Sequence, residues 1–197
     1  FVQEYYPSKE ELTLYEAISD YLMREGTYGI PERQRPLLSL IVRKIMSSSA
    51  YALAYTLERF IKRLQAYKDT GEMASALDCV TDDYDGANEE FEANSSEAMS
   101  TYSNLDDLDY EINELRRYCE MARSIGEESK SKELLNALNV SFDKIKNLGG
   151  QRKALIFTES RRTQEYLKCF LQNNGYKGKV VCFNGSNDDD DSTTIYR

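Results

Sequence analysis

Lys153–Glu159 reads KALIFTE and Val181–Ser186 reads VCFNGS, and the fold class turns on these two stretches. Ala154-Leu155-Ile156-Phe157 is a short, continuously apolar run, the pattern of a strand covered on both faces. Val180-Val181-Cys182-Phe183 repeats the pattern and ends in Asn184-Gly185-Ser186. Between the two, Ser160 offers an N-cap for a helix reaching Asn174, with Leu167, Phe170 and Leu171 facing inward and Gly175 as the stop. Strand, helix and strand in about thirty residues predict a right-handed parallel βαβ unit.

Upstream the texture is helical. Ser8-Lys9-Glu10-Glu11 is a capping box, followed by Leu12, Tyr15, Ile18 and Leu22 at helical spacing until Gly26. A second helix follows Ile30-Pro31, its apolar face built from Leu37, Leu38, Ile41, Ile45 and Met46, with Pro36 able to delay its start. The serines at 47–49 break it and cap a third helix, Ala50 to about Tyr67, carrying Leu53, Leu57, Ile61 and Leu64 and ending near Gly71. Leu105, Leu108, Ile112, Leu115, Cys119, Ala122 and Ile125 predict a long amphipathic helix stopped by Gly126. Ser131 then caps a helix bearing Leu134, Leu138, Ile145 and Leu148, closed by Gly149-Gly150. Phe1–Tyr6 (FVQEYY), bounded by Pro7, reads as a strand end.

Charge is unevenly spread. The formal net charge is −9, yet Asp69 to Leu115 holds fifteen Asp and Glu and no Lys or Arg, which leaves 19 acids against 25 bases elsewhere. The chain reads as a mildly basic body with one acidic segment, a solvated loop from about 69 to 104 being the plain account of its centre. An acidic lure for a basic partner, or a mimic of nucleic acid, is the functional alternative. There is no histidine, so the usual general base near neutral pH is missing and no ordinary triad can be assembled. Cys79, Cys119, Cys169 and Cys182 form no C-x-x-C pair, which points to reduced thiols in a cytoplasmic protein rather than a zinc site. Asp188–Asp191 is a run of carboxylates without the preset geometry of a cation site. No apolar run approaches the roughly 20 residues of a membrane span. The chain opens at Phe1 rather than Met, inside a strand-like stretch, and reads as an internal piece of a longer protein.

With these residues in view, the sequence resembles superfamily 2 helicases of the bacterial Swi/Snf-like branch. KALIFTE, the helix after it and VCFNGS are similar to the opening of the family's second RecA-like lobe. Arg35–Leu64 resembles the helices between the lobes, and Tyr6-Pro7-Ser8-Lys9-Glu10-Glu11 the exit from the first lobe. The resemblance implies three regions: 1–7 as the end of the first lobe, 8–150 as an interlobe helical domain, and 151–197 as the start of the second lobe. The expected fold is therefore mainly α with a partial α/β unit, a bundle of about five helices followed by an incomplete RecA-like βαβ lobe.

The departures bound the function. The sequence lacks a G-x-x-x-x-G-K-[ST] loop to cradle phosphates and an Asp-Glu box to hold magnesium. ATP and Mg are thus expected for the whole motor and not for this piece, whose catalytic residues number none. The resemblance places Thr158, Glu159 and Ser160 at a nucleic-acid track, with Arg161 and Arg162 adding charge and the helix start offering amides to phosphate. Gly185 and Ser186 are expected beside them, the glycine admitting a close backbone approach. An ordinary strand-to-helix turn with exposed arginines is the plain alternative. Arg43 and Lys44 suit either helix C-terminal carbonyls or nucleic acid. The tyrosines fall mostly at apolar helix positions and read as core rather than base-stacking platforms.

The expected partner is DNA or RNA, with a protein complex as a further candidate and no membrane, and open sheet edges offer a route to pairing of two copies. A non-enzymatic helical interaction module with a βαβ scaffold is the alternative. A small flavodoxin-type nucleotide-binding domain is a third reading, weakened by having two internal strands and no Gly-rich first turn.

Overall fold

A computed structural model describes residues 2–81 and 104–183. Its helices are α1 (Lys9–Met23), α2 (Arg35–Ser48), α3 (Ala50–Thr70), α4 (Asp78–Thr81), α5 (Leu105–Ser124), α6 (Ser129–Asn147) and α7 (Arg161–Leu171). A 3-10 turn at Glu32–Gln34 leads into α2, and a π-type turn at Gln172–Tyr176 closes α7.

The helix boundaries follow local chemistry. The α1 capping box forms in both directions between Ser8 and Glu11. Pro36 sits in the first turn of α2, where its missing N–H costs nothing. Ser49 ends α2 and caps α3, its side chain accepting from the Ala52 amide, and Gly71 ends α3 at φ 75°, the left-handed conformation that favours glycine. The predicted start of α6 shifts by three residues: Glu128 is the N-cap, and Ser131 lies buried in the first turn.

Burying α3 organises the bundle. It packs against α5 along most of its length, with α2, α4 and α7 on other sides, while α1 lies on α5 and α2. Phe60, Leu53, Leu57 and Leu64 of α3 meet Leu108 and Leu115 of α5 in a core that also takes Leu14, Ile18, Leu38 and Ile45. Each such side chain stabilises the fold by roughly 1.5–3 kcal/mol. A second, smaller core lies between α6 and α7, made of Leu138, Phe142, Phe170 and Leu171, with Tyr166, Tyr176 and Val180 leaning on it.

Loops are held by buried polar side chains. Glu111 of α5 accepts from the Tyr28 and Gly29 amides, each at 2.7 Å, and from the Tyr21 hydroxyl at 2.7 Å. Arg63 of α3 donates to the carbonyls of Tyr28 and Ala74. Ala76, Cys79 and Val80 are buried in the main core, so the expected acidic loop is structured as far as α4. The rest of that loop, 82–103, lies outside the described residues.

The βαβ expectation is overturned. Among the described residues there is no sheet, and the runs at 154–157 and 180–183 are irregular. A strand of a parallel sheet persists only with hydrogen-bonded neighbours and with both faces covered. Here Leu155 and Phe157 are 84% and 89% exposed, and no second strand lies alongside among the described residues. Val180 and Val181 are half-buried, and the Gln164 side chain donates to the Phe183 carbonyl at 2.8 Å, which ties this run to α7. The fold is a helical bundle, not an incomplete RecA-like lobe, and the sheet edges expected to pair two copies are not formed among the described residues. Val2–Tyr6 is likewise irregular and mostly exposed, with no strand partner among the described residues.

Candidate nucleic-acid interface

The corner predicted from the sequence, Thr158–Arg162, is the start of α7. Ser160 is its N-cap, with Oγ accepting from the Thr163 amide at 3.0 Å, and the residue is 3% exposed. Thr158 Oγ1 accepts from the Ser160 amide at 3.4 Å. Both hydroxyls are thus engaged in shaping the turn. Thr163 Oγ1 lies 2.7 Å from Ser48 Oγ and 2.8 Å from Ser49 Oγ, which fixes the start of α7 to the α2–α3 junction.

The charges at this corner are unequal in availability. Arg162 donates to Glu165 at 3.0 Å and lies 3.8 Å from the centre of the Tyr55 ring. Although partial burial disfavours its charge, the Glu165 hydrogen bonds hold the guanidinium above the ordinary arginine value. Arg162 is therefore directed inward, across the seam to α3. Arg161 is exposed. Glu159 is exposed and sits 4.0 Å from Lys44, so a carboxylate stands in the middle of the expected phosphate path. Gly185 and Ser186 lie outside the described residues, as do Asp188–Asp191.

A second group of cations gathers at the opposite end of the α6–α7 pair. Arg152 stacks over Phe142 with its guanidinium 5.0 Å from the ring centre, and Tyr176 packs on the same ring at 6.3 Å. The Tyr176 hydroxyl also donates to Asn139 Oδ1 at 3.1 Å. Phe142 thereby draws together the linker after α6 and the turn after α7. The first brings Arg152 and Lys153, the second Lys177 and Lys179, beside Lys144 and Lys146 in the last turns of α6. All six are exposed. Lys144 and Lys146 also oppose the negative end of the α6 dipole, which is their structural role whatever they bind.

Sequence motifs point to the α7 start and miss this cluster. Its members are 35 residues apart at the extremes, and the contacts of Phe142 with Arg152 and Tyr176 bring their segments together. Their one sequence signal is regional: residues 129–183 hold eleven Lys and Arg against four Asp and Glu, while 104–128 hold three against eight. No described helix is long and apolar enough to cross a membrane. Comparisons with protein-family models, curated proteins and solved structures gave no match.

Proposed function

We propose that this chain is a segment of an ATP-driven nucleic-acid motor and lends the motor part of its phosphate track rather than its ATP site. The observation that carries the reading is the polarised charge: six exposed cations at the far end of an α6–α7 pair that is strongly basic as a whole. Clustered lysines and arginines neutralise phosphates without reading base identity, so both DNA and RNA fit the surface. The motor part of the proposal draws on the resemblance of the helical segment Arg35–Leu64 to interlobe helices, now without a βαβ unit to support it. ATP and Mg would be held elsewhere in the whole protein. A cytoplasmic setting suits the free thiols of Cys79 and Cys119, both buried, with burial pushing the Cys79 thiol up to about 11.

The test is fluorescence anisotropy with labelled duplex and single-stranded nucleic acid between 50 and 200 mM salt, as about that range resolves counterion release. Removing one phosphate-binding side chain should lower the slope of log affinity against log salt by about 0.9 on duplex DNA. Replacing Lys144, Lys146, Arg152 and Lys153 by Ala is expected to cut affinity at least tenfold at the lower salt. Arg161→Ala with Arg162→Ala is expected to change it less, because Arg162 is engaged with Glu165 and Tyr55. Unchanged affinity in the fourfold variant removes the basic end from the track.

One observation favours a second reading, a non-enzymatic interaction module. Leu148, Leu155 and Phe157, all in the stretch between α6 and α7, are each more than four-fifths exposed, and exposed apolar side chains of this size suit contact with protein. If the chain binds no nucleic acid even at low salt, this reading replaces the first.

A further inference from the structure

Four helices begin close together, and two buried carboxylates lie among their starts. Glu11, in the first turn of α1, accepts from the Ser129 amide at 2.9 Å, from the Ser129 hydroxyl at 2.7 Å and from the Ser8 amide. Glu128, the residue before α6, reaches back to the start of α3, where Oε1 accepts from the Ala50 amide at 2.8 Å and the Tyr51 amide also favours its charge. The Glu128 amide in turn donates to the Tyr166 hydroxyl of α7 at 3.2 Å. Three helices are thus joined through one residue that is 3% exposed.

The two carboxylates differ in what surrounds them. Burial pushes the Glu11 carboxyl upward, but its hydrogen bonds from Ser129 and Ser8 outweigh this and hold it below the ordinary range. It stays charged near neutrality. Glu128 has no such excess of donors, and among the described residues no Lys or Arg forms an ion pair with it. The groups that face it are Glu11 and Tyr15 from α1, Tyr51 from α3, Lys130 from α6 and Tyr166 from α7. Lys130 is exposed and donates to the Ser47 carbonyl at 3.0 Å. Burial therefore pushes the Glu128 carboxyl up to about 7, helped by repulsion from Glu11 and opposed by the Ala50 and Tyr51 amides and Lys130.

Position gives this residue leverage. The main core and the α6–α7 core are separate clusters, and the seam between them is mostly polar: hydroxyl contacts of Thr163 with Ser48 and Ser49, the Arg162–Tyr55 stack, Lys130 on Ser47 and the two carboxylates. We propose that Glu128 is a proton-operated latch, holding the α6–α7 unit to the bundle when its carboxyl is neutral and releasing it more often when the carboxyl is charged. Such a latch requires no nucleic-acid role of the chain.

The direction follows from proton counting. In an opened seam Glu128 meets water at the ordinary 4.5, so the closed seam binds more protons between that value and about 7. Closure is fully supported below about 4.5, weakens as pH rises through 7, and is level above that.

Hydrogen exchange at the Ala50 and Tyr51 amides between about pH 5 and 8.5, corrected for intrinsic rates, reads the latch directly. Protection is expected to fall roughly a hundred-fold across that range, while amides between Leu57 and Leu64 keep theirs. Glu128→Gln, which retains the accepting oxygen and cannot ionise, is expected to show a flat profile. A pH dependence that survives in Glu128→Gln, or none in the unmodified chain, overturns the proposal. Should the variant not fold, carboxyl carbon NMR of the unmodified chain decides: titration of Glu128 near 7 supports the latch, and titration near 4 overturns it.

Discussion

Glu111 illustrates how a single polar residue can hold a loop that no apolar contact would hold. Its carboxylate satisfies two backbone amides and a tyrosine hydroxyl, 82 to 90 positions away in the chain, and is 3% exposed. Removing it leaves buried donors without acceptors, each costing about 1–3 kcal/mol. Glu111→Ala is therefore expected to destabilise the chain by roughly 3 kcal/mol or more, seen as a lower urea midpoint at an unchanged slope. The spacing around Glu111 shows only part of this. It sits three residues after Leu108 and four before Leu115, on the apolar face of its helix, which marks an acid turned inward but does not name its partners. Long-range hydrogen bonds have no periodicity, so the role appears only when α1, α3 and α5 are assembled. Ser8, Ser49 and Ser160 are the opposite case. Their capping partners lie three residues away, within reach of local reasoning, and all three form the expected bond.

Elements of helical period are where local chemistry and structure agree best. The apolar faces of α2 and α3 are those the spacing predicts, and that of α5 is too except at the exposed Leu105, whereas α1 buries Leu14, Ile18, Tyr21 and Leu22 and leaves the expected Leu12 exposed. Short apolar runs are where they part. Ala154–Phe157 and Val180–Phe183 have strand composition, yet a strand is defined by its neighbours and these have none among the described residues. The apolar pattern there records a requirement for cover without supplying it. α7 gives a test at this scale. Ser160→Ala should cost about 1 kcal/mol through removal of the cap. Thr163→Val should remove two hydroxyl contacts to the α2–α3 junction and loosen α7 from α3. Helical content measured by circular dichroism should hardly change in Thr163→Val, while exchange of α7 amides accelerates and that of α3 does not.

Over the whole molecule, the division into two cores sets the energetics. The bundle core contains many fully buried leucines and isoleucines, whereas the α6–α7 core has four buried side chains. A small core of this kind depends heavily on each member. Phe170→Ala, which removes the ring packed on Tyr166 at 6.1 Å, is expected to cost about 3–5 kcal/mol locally. That exceeds what the unit can lose, so its melting should separate from that of the bundle. Calorimetry is expected to show two transitions in the variant, the upper one unmoved. A single transition shifted as a whole would mean that the polar seam couples the cores tightly. The candidate interface follows the same division. Its net positive charge is legible from composition, but the convergence of Arg152 and Tyr176 on Phe142 is a tertiary fact.

One topological detail bears on how the chain tolerates change. Val80 of α4 and Leu108 of α5 are anchored in the same core, so the two helices are held to each other by packing and not only by the chain between them. Closing a loop between fixed ends costs only about 0.6 kcal/mol more for each doubling of its length. Shortening, lengthening or grafting a reporter between positions 82 and 103 should accordingly leave the bundle standing. For an engineer this is the natural splice point of the molecule.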